Sequence, residues 1–178
     1  MSSTMIESLI TSKTRLKLLL KFFLNPDNKA YLRSLESEFE ESSNGIRVEL
    51  NRLEKAELLC AQTEGNKKMY SVNTKHPLYE DINNIVRKYL GLDILVQRVV
   101  DELGGLSLVY LTGRMAKGLE SEIVELSFVG DINKDYLQKV VAKAETLLSK
   151  KIQYLVFNQE ADFRSDLNNE ANLLLWSA

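Results

Sequence analysis

Cysteine is almost absent. Cys60 is the single one in 178 residues, which excludes an internal disulfide and any metal site built on a cysteine cluster. Histidine is equally scarce: His76 stands alone, with no suitable partner near it in sequence for a catalytic or ligating set, so it is expected in a loop or at a helix end. Long apolar runs are missing too. The opening MSSTMIESLITSK holds neither the apolar core of a signal peptide nor a membrane span, so the cytoplasm is the expected compartment. No repeat with a period of roughly 20–50 residues and no low-complexity tract is visible. A large charge of one sign is lacking as well: the formal net charge of −2 argues against a globally basic nucleic-acid coat. Residues 1–80 hold twelve Lys/Arg against eleven Asp/Glu, and the remainder eleven against fourteen, so the first half is only slightly the more basic.

What is present is ordinary globular material. At 44% hydrophobic and 27% charged, the chain can build one large core or two small ones. After a lead-in over Met1–Thr11, Leu16, Leu19, Leu20 and Phe23 recur at helical spacing over residues 14–24, and Asn25-Pro26-Asp27 stops the helix. A second helix is predicted from Tyr31 to Phe39 with Leu32, Leu35 and Phe39 inward. The third opens on a serine pair, with Ser43 as N-cap, and turns Ile46, Leu50 and Leu53 to one face. Two strand-like runs follow, 58–64 and 68–72, joined by Gly65-Asn66-Lys67 as a hairpin with a basic tip. Two short helices joined by a tight turn, then a hairpin, is the order of a helix-turn-helix with a wing.

Such a unit offers DNA a helix for the major groove and a wing for the backbone or minor groove. Asn44, Arg47, Val48 and Asn51 lie opposite the apolar face of the third helix. Arg47 suits a guanine edge, Asn51 an adenine edge and Val48 a thymine methyl. Ser43 and Asn44 at the helix N-terminus, Arg33 on the second helix, and Asn66, Lys67 and Lys68 on the wing are candidates for the phosphates. The partner implied is double-stranded DNA.

Pro77 breaks the chain before two further amphipathic helices, 78–90 and 93–103, whose surplus of apolar residues (Ile85, Val86, Tyr89, Leu90, Leu95, Val96, Val99) marks a connector and a candidate homodimer surface. From Gly104-Gly105 onward the pattern becomes strand 106–111, short segment 115–119, strand 123–129, long helix 135–150, strand 152–157, short helix 160–167 and a last apolar run 172–176, an α/β sandwich.

The stretch LKLLLKFFLNPDNKAYLRSLESEF, then RVELNRLEKAELL, then EGNKKMYSVNTKHPLY, resembles the ArsR-like winged-helix regulators. In one subgroup the phrase ending Asn-x-x-His-Pro-Leu, here residues 73–78, leads into a helical linker and a small nucleotidyltransferase-like domain. VYLTGRMAKGLESEIVELSFVGD and IQYLVFNQEADFRSDL look like that domain's frame. The resemblance implies an α+β chain: a winged helix-turn-helix over 1–77, a helical linker over 78–103 and an α/β nucleotidyltransferase-like domain over 104–178. It does not carry the chemistry across. Two carboxylates two residues apart on one strand should hold Mg²⁺, but counting back from Gly130-Asp131 the first falls on Ile123 and only the second is acidic, Glu125. Glu122 would face the other way without a bulge, Thr112-Gly113-Arg114 stands where a Gly-Ser turn belongs, and the third strand carries no carboxylate. The expectation is therefore a regulator with an inactive transferase-like domain, no catalytic residues and no metal or cofactor. That domain would sense a nucleotide or small-molecule effector through Gly113, Arg114, Lys117 and Glu125, or serve in dimerisation. An active nucleotidyltransferase and a protein-interaction module on a winged-helix scaffold are the alternatives.

Overall fold

The computed structural model describes residues 6, 8–167 and 170–178, so part of the expected lead-in lies outside the described residues. The chain is mixed α+β and divides into two compact units, Met1–Tyr89 and Leu90–Ala178. The stretch 78–103, read from sequence as a separate linker, is itself divided: its first helix counts with the first unit, its second with the other. Among the described residues no helix is long and apolar enough to cross a membrane.

The first unit begins with α1 (Lys13–Phe23), N-capped by Ser12, whose hydroxyl accepts from the Arg15 N–H. Leu18, Leu20, Phe22 and Phe23 are buried around its circumference, so it is the central helix of the unit. A two-residue strand, β1 (Ala30–Tyr31), leads into α2 (Leu32–Phe39), and Glu40 in the left-handed conformation turns the chain toward α3 (Ser43–Lys55). Ile46, Leu50 and Leu53 point inward as the spacing predicts, all at 5% exposure or less. The N-cap of α3 is Ser42 rather than Ser43, because helical backbone already begins at Ser43, one residue earlier than a Ser43 cap would place it. Strands β2 (Leu59–Glu64) and β3 (Lys67–Val72) pair antiparallel from Leu59↔Val72 to Glu64↔Lys67. The turn is therefore Gly65-Asn66 alone, with Gly65 at φ 62°, and Lys67 belongs to the strand. β1 adds to the outer edge of β3 (sheet order β1-β3-β2) and ties the start of α2 to the wing. Helix α4 (Tyr79–Leu90) closes the unit.

Three cations of α1 are consumed inside this unit. Arg15 meets Glu49 of α3 (Nε to Oε2, 2.9 Å), Lys17 meets Glu41 in the α2–α3 turn (2.7 Å), and Lys21 meets Glu38 of α2 (2.6 Å). Glu49, 6% exposed, also accepts from the Ser12 hydroxyl at 3.1 Å and from Arg52 at 3.1 Å. Burial pushes its carboxyl up, but hydrogen bonds from Arg15 and Ser12 and the charges of Arg15 and Arg52 outweigh it and hold the group below its ordinary value. A lowered folded-state pKa contributes stability that is present above the unfolded value and is lost as pH falls through the folded one. Glu49→Gln is expected to lower stability by about 1–3 kcal/mol at neutral pH. The deficit should shrink on acidification, which denaturant titrations at pH 7 and near pH 3 would measure.

The second unit opens with α5 (Leu92–Glu102) and is built on a four-stranded sheet of order β6-β5-β4-β7. Its elements are β4 (Leu106–Thr112), α6 (Gly113–Ala116), β5 (Ile123–Gly130), α7 (Lys134–Leu148), β6 (Lys151–Phe157), α8 (Glu160–Asp166) and β7 (Leu173–Ser177). The central strands β4 and β5 run antiparallel, while β5 and β6 are parallel and linked by α7, as a βαβ crossover demands. Phe163 of α8 packs on Tyr110 (ring centroids 4.3 Å apart) together with Val129. The last apolar run is the edge strand β7, paired with β4. Where β4 begins and β5 ends, two glycines let the backbones touch. A Cβ on Gly105 (φ 78°) would sit 2.1 Å from the Asp131 carbonyl oxygen, and one on Gly130 (φ 143°) 2.2 Å from that of Gly105.

Candidate nucleic-acid interface

α3 presents two faces. Its apolar side is anchored on α1 and α2, while Asn44, Arg47, Val48 and Asn51 are exposed, Val48 by 42%. Between α2, α3 and the hairpin lies an open cleft of about 490 Å³. Arg33, Arg47, Asn51, Asn66, Lys67 and Lys68 line it, over a floor that includes Leu50 and Tyr70. Six of the nine residues proposed for DNA from sequence thus meet on one concavity. Ser43, Asn44 and Val48 are not part of its lining. Ser43 is half-buried and Asn44 exposed at the α3 N-terminus.

The cations of this cleft differ in what they already hold. Among the described residues no carboxylate lies within ion-pair distance of Arg33, Arg47 or Lys67, in contrast to the paired cations of α1. The Lys67 ammonium stands 4.3 Å from the centre of the Tyr31 ring, which braces the wing against the start of α2 without neutralising its charge. Lys68 is different: its ammonium binds Glu54 of α3 at 2.7 Å and lies 5.1 Å from the Tyr70 ring centre. The hydrogen bond to Glu54 raises the Lys68 pKa above its ordinary value. Lys68 therefore fixes the wing to α3 and offers a phosphate less than a free lysine would. Glu54, Tyr31 and Tyr70 were not singled out from sequence. Of these, only the Tyr70 contact has a sequence signal, the Lys68/Tyr70 spacing that puts both side chains on one face of β3.

In the second unit, the residues proposed for a phosphate are arranged around their own acid. The Glu125 carboxylate accepts a hydrogen bond from the Arg114 backbone N–H at 3.2 Å. It also fills the space beside Gly113, where a Cβ would come 1.7 Å from its Oε2. A phosphate approaching this turn would meet a carboxylate on the N–H that should receive it. The side chains of Arg114 and Lys117 are exposed, Ile123 is 37% exposed at the first strand position, and Glu122 precedes β5 and is exposed.

No protein-family model matches this chain, and no curated protein does. Solved structures do. Reduced HlyU from Vibrio cholerae N16961 is 18% identical, over 51% of this chain and 87% of its own, with a TM-score of 0.38. Rv0081 from M. tuberculosis is 22% identical, over 52% and 87%, with a TM-score of 0.38. A mutant of the toxin-antitoxin MntA-HpeT is 13% identical, over 48% and 73%, with a TM-score of 0.41. Each covers about half of this chain.

Proposed function

We propose that the protein is a sequence-specific DNA-binding transcriptional regulator of the cytoplasm, acting as a homodimer, whose second unit has a nucleotidyltransferase-like frame and serves association or ligand sensing rather than nucleotidyl transfer. One observation supports this best: Arg33, Arg47 and Lys67 converge on one cleft with no carboxylate among the described residues to hold them, beside an exposed helix face that includes Asn51. Phosphates supply the missing anions, and Arg47 and Asn51 have the donor patterns that read guanine and adenine edges. Fluorescence anisotropy on a duplex from upstream of its own gene, over a series of salt concentrations, tests it. Binding should weaken with salt with a log–log slope of about −0.9 per phosphate neutralised, and unrelated sequence should bind less tightly. A protein-interaction module would show neither dependence.

For the second unit, Ile123 in place of a ligating acid, and Glu125 committed to the Arg114 N–H, support a frame without the reaction. Isothermal titration with ATP, with and without Mg²⁺, is expected to give no heat at millimolar nucleotide. Transfer of label from a labelled nucleoside triphosphate to protein or nucleic acid would refute this part while leaving the DNA reading intact.

A further inference from the structure

The exposed side of α3 ends in an acid. Steps of four and three residues lead from Arg47 to Asn51 and on to Glu54, so the three share one face of the helix. An uncompensated carboxylate there would repel the phosphates that supply much of the affinity for DNA. Glu54 is compensated from the wing: its Oε2 lies 2.7 Å from the Lys68 ammonium, fourteen residues further along the chain.

Stability does not explain the pair. The side chains of Lys68 and Glu54 are 50% and 33% exposed, and an exposed ion pair shifts an equilibrium by about fivefold at most. The wing is also held without it, by the ladders from β3 to β2 and β1 and by Lys67 against the Tyr31 ring. What the pair changes is the charge on offer. Of the cations that line the cleft, Arg33, Arg47 and Lys67 have no carboxylate within ion-pair distance among the described residues, and Lys68 has Glu54.

Sequence-independent binding grows with the number of phosphates neutralised, whereas base readout by Arg47 and Asn51 does not. A free Lys68 would find a phosphate on any duplex. On the preferred duplex the base contacts already fix the register of α3, so a loosened wing gains less there. We propose that Glu54 is a specificity-determining residue of the DNA site, acting through Lys68: it withholds one wing cation from the phosphates and seats the wing against α3. Such a role presupposes the proposed DNA-binding function.

Fluorescence anisotropy of the full chain, on the duplex from upstream of its own gene and on a scrambled one over a salt series, tests it. Glu54→Gln should steepen the log–log salt slope by about 0.9 and tighten binding to the scrambled duplex about fivefold at about 0.15 M salt, as one more neutralised phosphate predicts. The upstream duplex should gain less than about half of that factor, so discrimination falls at least about twofold. In the Lys68→Ala background the same change should leave the slope where it was, since no lysine remains to be released. One readout needs no DNA: the Lys68 ammonium, whose pKa the Glu54 hydrogen bond raises, should titrate lower in Glu54→Gln when followed by NMR of its ε-methylene. An unshifted Lys68, an unchanged slope in Glu54→Gln, a steeper slope that persists without Lys68, or an equal gain on both duplexes would each overturn the proposal while leaving DNA binding by the wild type intact. A wild type that binds neither duplex would instead overturn the DNA-binding function itself, and this role with it.

Discussion

Replacing Arg33, Arg47 and Lys67 together by alanine is expected to lower DNA affinity by at least about a hundredfold near physiological salt, with a loss of folded-state stability no larger than the Lys67–Tyr31 contact, about 0.5–1 kcal/mol. Each of the three is exposed and has no carboxylate partner among the described residues, so truncation removes no ion pair seen there. An arginine on a base edge is worth about 1–3 kcal/mol, and a phosphate contact changes the salt slope by about one unit. Within the triple, the single variants separate these roles. Arg47→Ala should lose affinity mainly on the cognate sequence and relax discrimination at one base. Arg33→Ala and Lys67→Ala should lose it evenly on all sequences and flatten the salt dependence. Anisotropy titrations on cognate and scrambled duplexes, read beside thermal melts, check both parts. Even loss for Arg47→Ala would move that residue to the backbone, and an unchanged affinity for the triple would refute the cleft as the DNA surface.

Gly105→Ala is expected to destabilise the second unit by about 3 kcal/mol or more. The new Cβ would meet the Asp131 carbonyl at 2.1 Å, an obstacle made of backbone, on a residue at φ 78° that L side chains rarely adopt. The two strands would have to separate where β4 leaves the turn and β5 ends, next to the Leu106↔Gly130 pair. Gly113→Ala provides the contrast. Its Cβ meets the tip of the Glu125 side chain, which can swing away, so the cost is the left-handed backbone, about 1–2 kcal/mol, and the exposed hydrogen bond from the Arg114 N–H that Glu125 gives up. Urea titrations followed by Trp176 fluorescence, which reports on β7 in the same sheet, would rank the two. An equal effect would show that the contact between strand ends is looser than the structure draws it.

Periodicity along the chain carried the helices and strands of both units to within a residue or two, α6 excepted, which was expected as a short segment at 115–119 and lies at Gly113–Ala116, because each of the others buries one face and the spacing of Leu, Ile, Val and Phe records which. The βαβ half of the second sheet was visible for the same reason: Leu126, Phe128 and Val129 of β5 are apolar and the stretch Leu126–Val129 is buried, Ser127 included. β1 escaped, since two residues have no period and Ala30-Tyr31 becomes a strand only because β3 runs beside it. The cations were harder still. Arg15, Lys17 and Lys21 look like Arg33 and Arg47 in the sequence, and only partners 17 to 34 residues away separate the neutralised set from the available one. Glu49 lies within the third predicted helix as an ordinary polar residue, yet it is buried against α1. Glu125 was recognised as an acid in the right place, but its use as an internal acceptor for the Arg114 N–H depends on how α6 folds back on β5.

Sorting of charge by pairing has a practical corollary. A chain of acidic isoelectric point, about 5.6, should be repelled by sulfonate and phosphocellulose resins at neutral pH if its total charge governed the outcome. Here the total conceals a patch whose positive groups face outward while Glu38, Glu41, Glu49 and Glu54 are held in ion pairs within the fold. The protein should therefore bind both an anion exchanger and a heparin column in the same buffer, and lose only the second affinity when the wing and its neighbouring arginines are stripped of charge.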